Sequence, residues 1–223
     1  MSVAQNIKSF ISSVPAGVKI IAVTKTQPVE IIQEVYGTGY KIFGENRIQE
    51  LTTKQKNLPA DIEWHMIGHL QTNKVKYICP FVNMIHSVDS LNLLAVINKE
   101  GIKNNRIVDV LMQIYIANEE TKFGLDEDEL FKIISSSDFS NFKNIRVKGL
   151  MGMATFTEDK SQIRSEFRRL TKIFNKTKET FFVNDENFSE ISMGMSNDYK
   201  IAIEEGSTII RIGSLIFGER PFL

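Results

Sequence analysis

Eight short apolar runs, each followed by a longer stretch with helical spacing, constrain this 223-residue chain more than any other feature. Runs rich in β-branched residues read as buried strands, and strands that alternate with helical segments read as βαβ units of a parallel sheet. Strands are expected at Val18 to Val23, Lys41 to Phe43, Glu63 to Ile67, Val82 to Ser87, Ile107 to Ile116, Val147 to Met151, Glu190 to Met193 and Thr208 to Ile212. Helices are expected between them at Pro28 to Tyr36, Glu45 to Gln55, Gln71 to Ile78, Ser90 to Lys99, Asp126 to Ile134, Lys160 to Lys178 and Asn197 to Glu205. Ser90, Asp126 and Ser196 occupy N-cap positions, and Gly37, Gly101 and Gly206 stand where helices should stop. Eight such units with no linker or solenoid repeat predict an α/β fold, one TIM-type (β/α)8 barrel domain over residues 1–223. A doubly wound open sheet is the alternative, but the Gly-x-Gly-x-x-Gly turn it uses is missing after the first strand.

Composition narrows the function classes. Lys plus Arg and Asp plus Glu number 27 each, so no global field draws the chain to nucleic acid or to an anionic membrane. The cluster Arg164, Arg168 and Arg169 reads as the solvated face of a helix. Cys79 is the one cysteine, which excludes an intramolecular disulfide and suits a reducing cytosol; beside Pro80 it is expected to be a small buried hydrophobe. No stretch reaches the roughly 18 apolar residues that span a bilayer, and the N-terminus lacks a leader pattern, so a soluble cytoplasmic protein is expected.

In such barrels the chemistry sits at the C-terminal ends of the strands. Those ends read Thr24-Lys25-Thr26, Gly44-Glu45-Asn46, Gly68-His69, His86-Ser87, Ser192 to Ser196, and Arg211-Ile212-Gly213-Ser214. The Gly213-Ser214 turn into a short apolar segment can present unpaired backbone N–H groups to a phosphate, or can be an ordinary strand and turn. Lys25 is either a solvated loop residue or a partly desolvated amine able to form an imine with an aldehyde or ketone. An amine facing a phosphate cradle across a barrel mouth suggests pyridoxal phosphate. Arg211 shares a strand face with Ile209 and Gly213, so its guanidinium needs a partner, and a glutamate of a neighbouring strand would serve.

The segments VTKTQP (23–28), FGENRIQE (43–50), WHMIGHLQTNK (64–74), HSVDS (86–90), ETKFGL (120–125), GLMGM (149–153) and SMGMSNDYKIAIEEGSTIIRIGSLIFGER (192–220) run the length of the chain in order. They resemble the pyridoxal phosphate homeostasis protein family, single-domain relatives of the N-terminal barrel of alanine racemase. The resemblance implies that pyridoxal 5'-phosphate is bound as a Schiff base on Lys25. It also implies that Ser196 and the backbone of Gly213 and Ser214 hold the phosphate, and that Asn46 lies near the ring. By analogy with alanine racemase, Arg211 is expected to donate to the pyridine nitrogen, which disfavours its protonation and leaves a weak electron sink. Three departures from the family pattern, Thr24, Arg47 and Tyr115, touch only the pocket rim.

The resemblance implies a role in intracellular pyridoxal phosphate homeostasis without established turnover, with apo-enzymes that receive the cofactor as candidate partners. The racemase relatives draw a catalytic tyrosine from a second, β-rich domain, and Tyr40, Tyr77, Tyr115 and Tyr199 carry no mark of a base. A weak amino-acid racemase is the alternative. Without the second domain a monomer is expected. A metal-dependent hydrolase built on His65, His69 and His86 is disfavoured, because His65 and His69 straddle Gly68 and do not share a helical face.

Overall fold

The computed structural model describes residues 2–117 and 124–218. Residues 120–123 of the fifth motif, Glu219-Arg220 of the last motif and the terminal Leu223 lie outside them. Eight parallel strands close a barrel in sequence order, β1 pairing with β8. They are β1 Lys19–Val23, β2 Ile42–Glu45, β3 Glu63–Met66, β4 Met84–Val88, β5 Val108–Gln113, β6 Ile145–Met151, β7 Glu190–Ser192 and β8 Ile209–Ile212. Around them lie α1 Val3–Ser13, α2 Val29–Tyr36, α3 Ile48–Asn57, α4 Val75–Ile78, α5 Leu91–Lys103, α6 Glu127–Ile134, α7 Ser137–Ser140, α8 Lys160–Phe181, α9 Tyr199–Glu204 and α10 Ser214–Phe217. Among the described residues no helix is long and apolar enough to cross a membrane.

Two hydrophobic layers follow from the strand period of two. One face of the strands packs under the helices, with Phe43, Trp64, Ile85, Val110 and Ile210 in a continuous outer core. The other face fills the barrel with Ile21, Val23, Ile67, Met84, Leu111, Met151 and Ile209. The inward parity therefore runs 21, 23 and on to 25 after β1, and 209, 211 and on to 213 after β8, with Ile21 paired to Arg211. Lys25, Arg211 and Gly213 lie on inward positions because apolar neighbours two residues away are buried in the interior.

The caps at Ser90 and Asp126 are as expected: each side chain accepts the N–H three residues on, and Asp126 with Glu129 completes a capping box. Gly37 closes α2, and Gly206 follows the last turn of α9 with φ +99. Four expectations need correction. Gly101 does not end its helix; α5 continues to Lys103, and a Cβ at 101 would lie 2.8 Å from the Asn144 carbonyl oxygen, so close packing selects the glycine. Ser196 does not cap α9, because Asp198 takes that place and its Oδ1 accepts the Met195 N–H at 2.5 Å. Glu45 and Asn46 belong to the end of β2 and its turn, since α3 starts at Ile48. The segment after Gln71 is a 3-10 turn, Thr72–Lys74, followed by the single turn of α4. The sequence reading also omitted α1 and α7; α1 has a Ser2/Gln5 capping box and buries Ile7 and Phe10, while Asn6 Nδ2 donates to Ile216 O of α10 at 3.0 Å.

Candidate functional site

A cavity of about 1030 Å³ opens at the C-terminal end of the barrel. Lys25, Asn46, Ser196, Arg211, Gly213 and Ser214, which come from the ends of β1, β2, β7 and β8, all line it. Each follows from local structure. β1 ends in a turn closed by Gln27 N–H to Thr24 O at 2.9 Å, which lifts Lys25 to the rim. β8 leads through Gly213 into α10, where the Ile216 and Phe217 N–H groups bond Gly213 O and the first N–H groups of the helix have no partner within it. Freed from capping, Ser196 accepts the Gly213 N–H at 3.3 Å, joining the β7 and β8 ends.

The strand glutamate that would also have served Arg211 is not its partner: Nη1 donates to Ser192 Oγ at 2.7 Å and Nη2 to Gly152 O at 3.1 Å. Glu190, the nearest strand glutamate on β7, is engaged lower in the barrel by Lys19 and by Thr208 Oγ1. Burial pulls the Arg211 guanidinium down to about 10, with Asp198 opposing, so it remains cationic at neutral pH. Burial raises the Asp198 carboxyl against the Met195 N–H and Arg211 that lower it.

The structure does not bring the three histidines together. His69 lies within 3.6 Å of Asp89 near the surface, whereas His65 and His86 are buried inside the barrel with Nδ1 and Nε2 2.8 Å apart. His86 Nδ1 is 3.0 Å from Ser192 Oγ. With the Ser192 hydrogen assigned to His86 Nδ1, the acceptor within reach of that hydroxyl, the His86 proton lies on Nε2, directed at His65 Nδ1. Burial first, and then Lys19, pushes His65 down to about 3. Burial, with His65, Arg211 and Lys19 adding to it, takes His86 well below its ordinary value, so both rings are neutral. Sequence reasoning missed this chain, and also Thr155, whose N–H and Oγ1 bond Glu166 at 2.7 and 2.8 Å and fix one cavity wall. The chain's only advance signal was that His65, His86 and Ser192 share the inward parity.

A phosphorylated aldehyde fits these residues on structural grounds. An amine and a guanidinium face one cavity, backbone donors gather at Gly213, and the buried Asn46 Oδ1 has no hydrogen-bond partner. The fold and this site define a barrel of the alanine racemase N-terminal type: the family model for alanine racemase, N-terminal domain, matches residues 1–221. Solved alanine racemases share the fold, as with that of Clostridium difficile 630, at TM-score 0.76 and 14% identity over 99% of this chain and 56% of that one. PipY of Synechococcus elongatus PCC7942, solved with PLP bound, superimposes at TM-score 0.87 and 30% identity, over 97% of this chain and 100% of that one. A pyridoxal phosphate homeostasis protein of Aquifex aeolicus is 42% identical over 205 residues, 92% of this chain and 88% of its own length. The chain belongs to the pyridoxal phosphate homeostasis protein family.

Proposed function

We propose that this protein binds pyridoxal 5'-phosphate at the barrel mouth, held covalently on Lys25, and serves pyridoxal phosphate homeostasis in the cytoplasm as a carrier or store. The observation that carries the reading is the convergence of Lys25, Asn46, Ser196, Arg211, Gly213 and Ser214 on one cavity. Lys25 would hold the cofactor through its Nζ, and the cofactor's aldehyde would supply the carbon for a Schiff base with release of water. Ser196 O–H and the backbone around Gly213 and Ser214 receive the phosphate. Arg211 would donate to the ring nitrogen and disfavour its protonation, so the cofactor would supply an aldehyde for amines but only a weak electron sink.

Among the described residues no tyrosine lines the cavity, which supports a carrier over a racemase, which needs a second base. Tyr40 donates to Ile20 O, and Tyr199 packs edge-on against Phe10, 5.2 Å between centroids. We propose a single-domain monomer whose partners are the apo-enzymes that receive the cofactor. Borohydride reduction of protein incubated with pyridoxal phosphate, followed by peptide mass analysis, tests the reading. The added mass is expected on the peptide containing Lys25 and is lost in Lys25→Ala; label on another lysine overturns the assignment.

A further inference from the structure

The turn that carries Lys25 has a backbone its own sequence does not favour. Thr26 sits at φ +66, at the third position of a turn where glycine is the usual residue. Side chains from two other elements hold that turn from below. Glu50 Oε2 accepts the Thr26 N–H at 2.8 Å. Lys54 Nζ donates to Thr24 O at 2.7 Å, to Glu45 Oε1 at 2.5 Å and to Glu50 Oε2 at 3.1 Å. Glu45 in turn accepts the Thr24 hydroxyl at 2.7 Å through Oε1 and the Asn46 N–H at 3.1 Å through Oε2.

Glu45 is fully buried and Lys54 is 5% exposed. A buried ionic group of this kind is not explained by stability, because well-packed apolar residues of similar size usually do as well. What the three side chains do is bond the main chain on both sides of Lys25 and at Asn46, two positions on the cavity. Lys54 and Glu50 are one helical turn apart on α3, so a single helix face delivers both ends of the clamp.

We infer that Glu45, Glu50 and Lys54 are positioning residues that hold the Thr24-Lys25-Thr26 turn in the conformation from which the Lys25 amine reaches a bound aldehyde. The inference rests on Lys25 being the covalent residue. Loosening the clamp at Glu50 leaves the phosphate and ring contacts in place, since Ser196, Gly213 and Arg211 belong to β7, β8 and their turns and Asn46 is held by Glu45, but allows the turn to relax away from positive φ. The effect should therefore appear in bond formation and not in non-covalent binding. That separates positioning from a general loss of the pocket.

The test compares two probes on the full chain: pyridoxal phosphate, followed by the absorbance of the covalent species, and pyridoxine 5'-phosphate, which has the same ring and phosphate but an alcohol in place of the aldehyde. Glu50→Gln is expected to slow covalent bond formation about tenfold or more and to leave pyridoxine phosphate affinity within about twofold, the change corresponding to a weakened charged hydrogen bond. Adding Thr26→Gly, which adopts the turn unaided, is expected to restore most of the rate. If Glu50→Gln does not fold, Lys54→Arg is read in the same way. An unchanged rate, an equal loss of affinity for both probes, or no restoration by Thr26→Gly overturns the clamp. Reduction of the wild-type adduct discriminates between failures: label elsewhere than Lys25 removes the cofactor reading itself, whereas label on Lys25 with an indifferent Glu50→Gln removes only the clamp.

Discussion

Lowering the pH from 7 to 5 should destabilise this protein through two buried residues. His65 and His86 are buried and neutral, His65 pushed to about 3 and His86 well below its ordinary value. The unfolded chain takes up protons on both rings near their ordinary value of about 6.5, and the folded chain does not. Their contribution is thus fully present above pH 6.5, is lost progressively as pH falls, and for His65 stops falling near pH 3. His65 costs about 1.4 kcal/mol per pH unit in that window, or about 2 kcal/mol at pH 5, and His86 adds a cost of the same sign. That is a large fraction of the ~5–15 kcal/mol of a typical domain. Carboxylates also titrate there, so the assay is urea unfolding at pH 7, 6 and 5 for the wild type and His65→Leu. The variant loses stability at pH 7 because His86 Nε2–H is left unpaired, but its slope between pH 6 and 5 should be shallower by about 1.4 kcal/mol per unit, the carboxylate contribution being common to both. Equal slopes, or ring-proton resonances of His65 and His86 that titrate near pH 6.5 in the folded protein, would refute the reasoning.

Ser196→Ala should weaken pyridoxal phosphate and inorganic phosphate alike by about 10- to 150-fold, the value of one hydrogen bond to a charged group of about 1.5–3 kcal/mol; equal affinity in variant and wild type by titration calorimetry contradicts the cradle. Gly194→Ala should cost about 2–4 kcal/mol in denaturant unfolding, since Gly194 has φ +94 and a Cβ would lie 2.6 Å from Ala202 Cβ and 3.0 Å from Tyr199 Cα. Amino acids incubated with the loaded protein in deuterium oxide should acquire no deuterium at the α-carbon over many turnovers; accumulation that disappears in Lys25→Ala would make the protein an enzyme.

The barrel was legible because its signal is local. Eight β-branched runs announce eight strands, and the inward parity places Lys25 and Arg211 without any knowledge of their neighbours. What stayed hidden depends on partners far along the chain. Lys54 reads as one more cation on a polar helix, and only the approach of α3 to the end of β1 buries it against Glu45 and Thr24 O, 30 residues away in sequence. The β7 segment was read for Ser196 alone; that Ser192 would accept from Arg211 depends on how β7 and β8 align. The omission of α1 is of another kind, since Ser2 and Gln5 at capping-box spacing, with Val3, Ile7 and Phe10 on one face, are present in the sequence itself.

The choice of neutral partners for Arg211 ties the barrel interior to the ligand at its mouth. A buried guanidinium could have been paired with Glu190, which β7 also points inward, but Lys19 takes that carboxylate at the opposite end of the barrel. Arg211 is left with a hydroxyl and a carbonyl oxygen, which orient it without cancelling its charge. The hydroxyl is in turn bonded by the uncharged imidazole of His86, which His65 backs, so the column beneath the cavity adds no negative charge. Asp198, whose charge acts on Arg211, is raised by burial, which weakens its hold on the guanidinium. Positive potential therefore persists where Arg211 meets the cavity, while Gly213, Ser214 and Ser196 gather donors beside it. A strand glutamate in place of Ser192 would accept from Arg211 equally well and would cancel that positive potential.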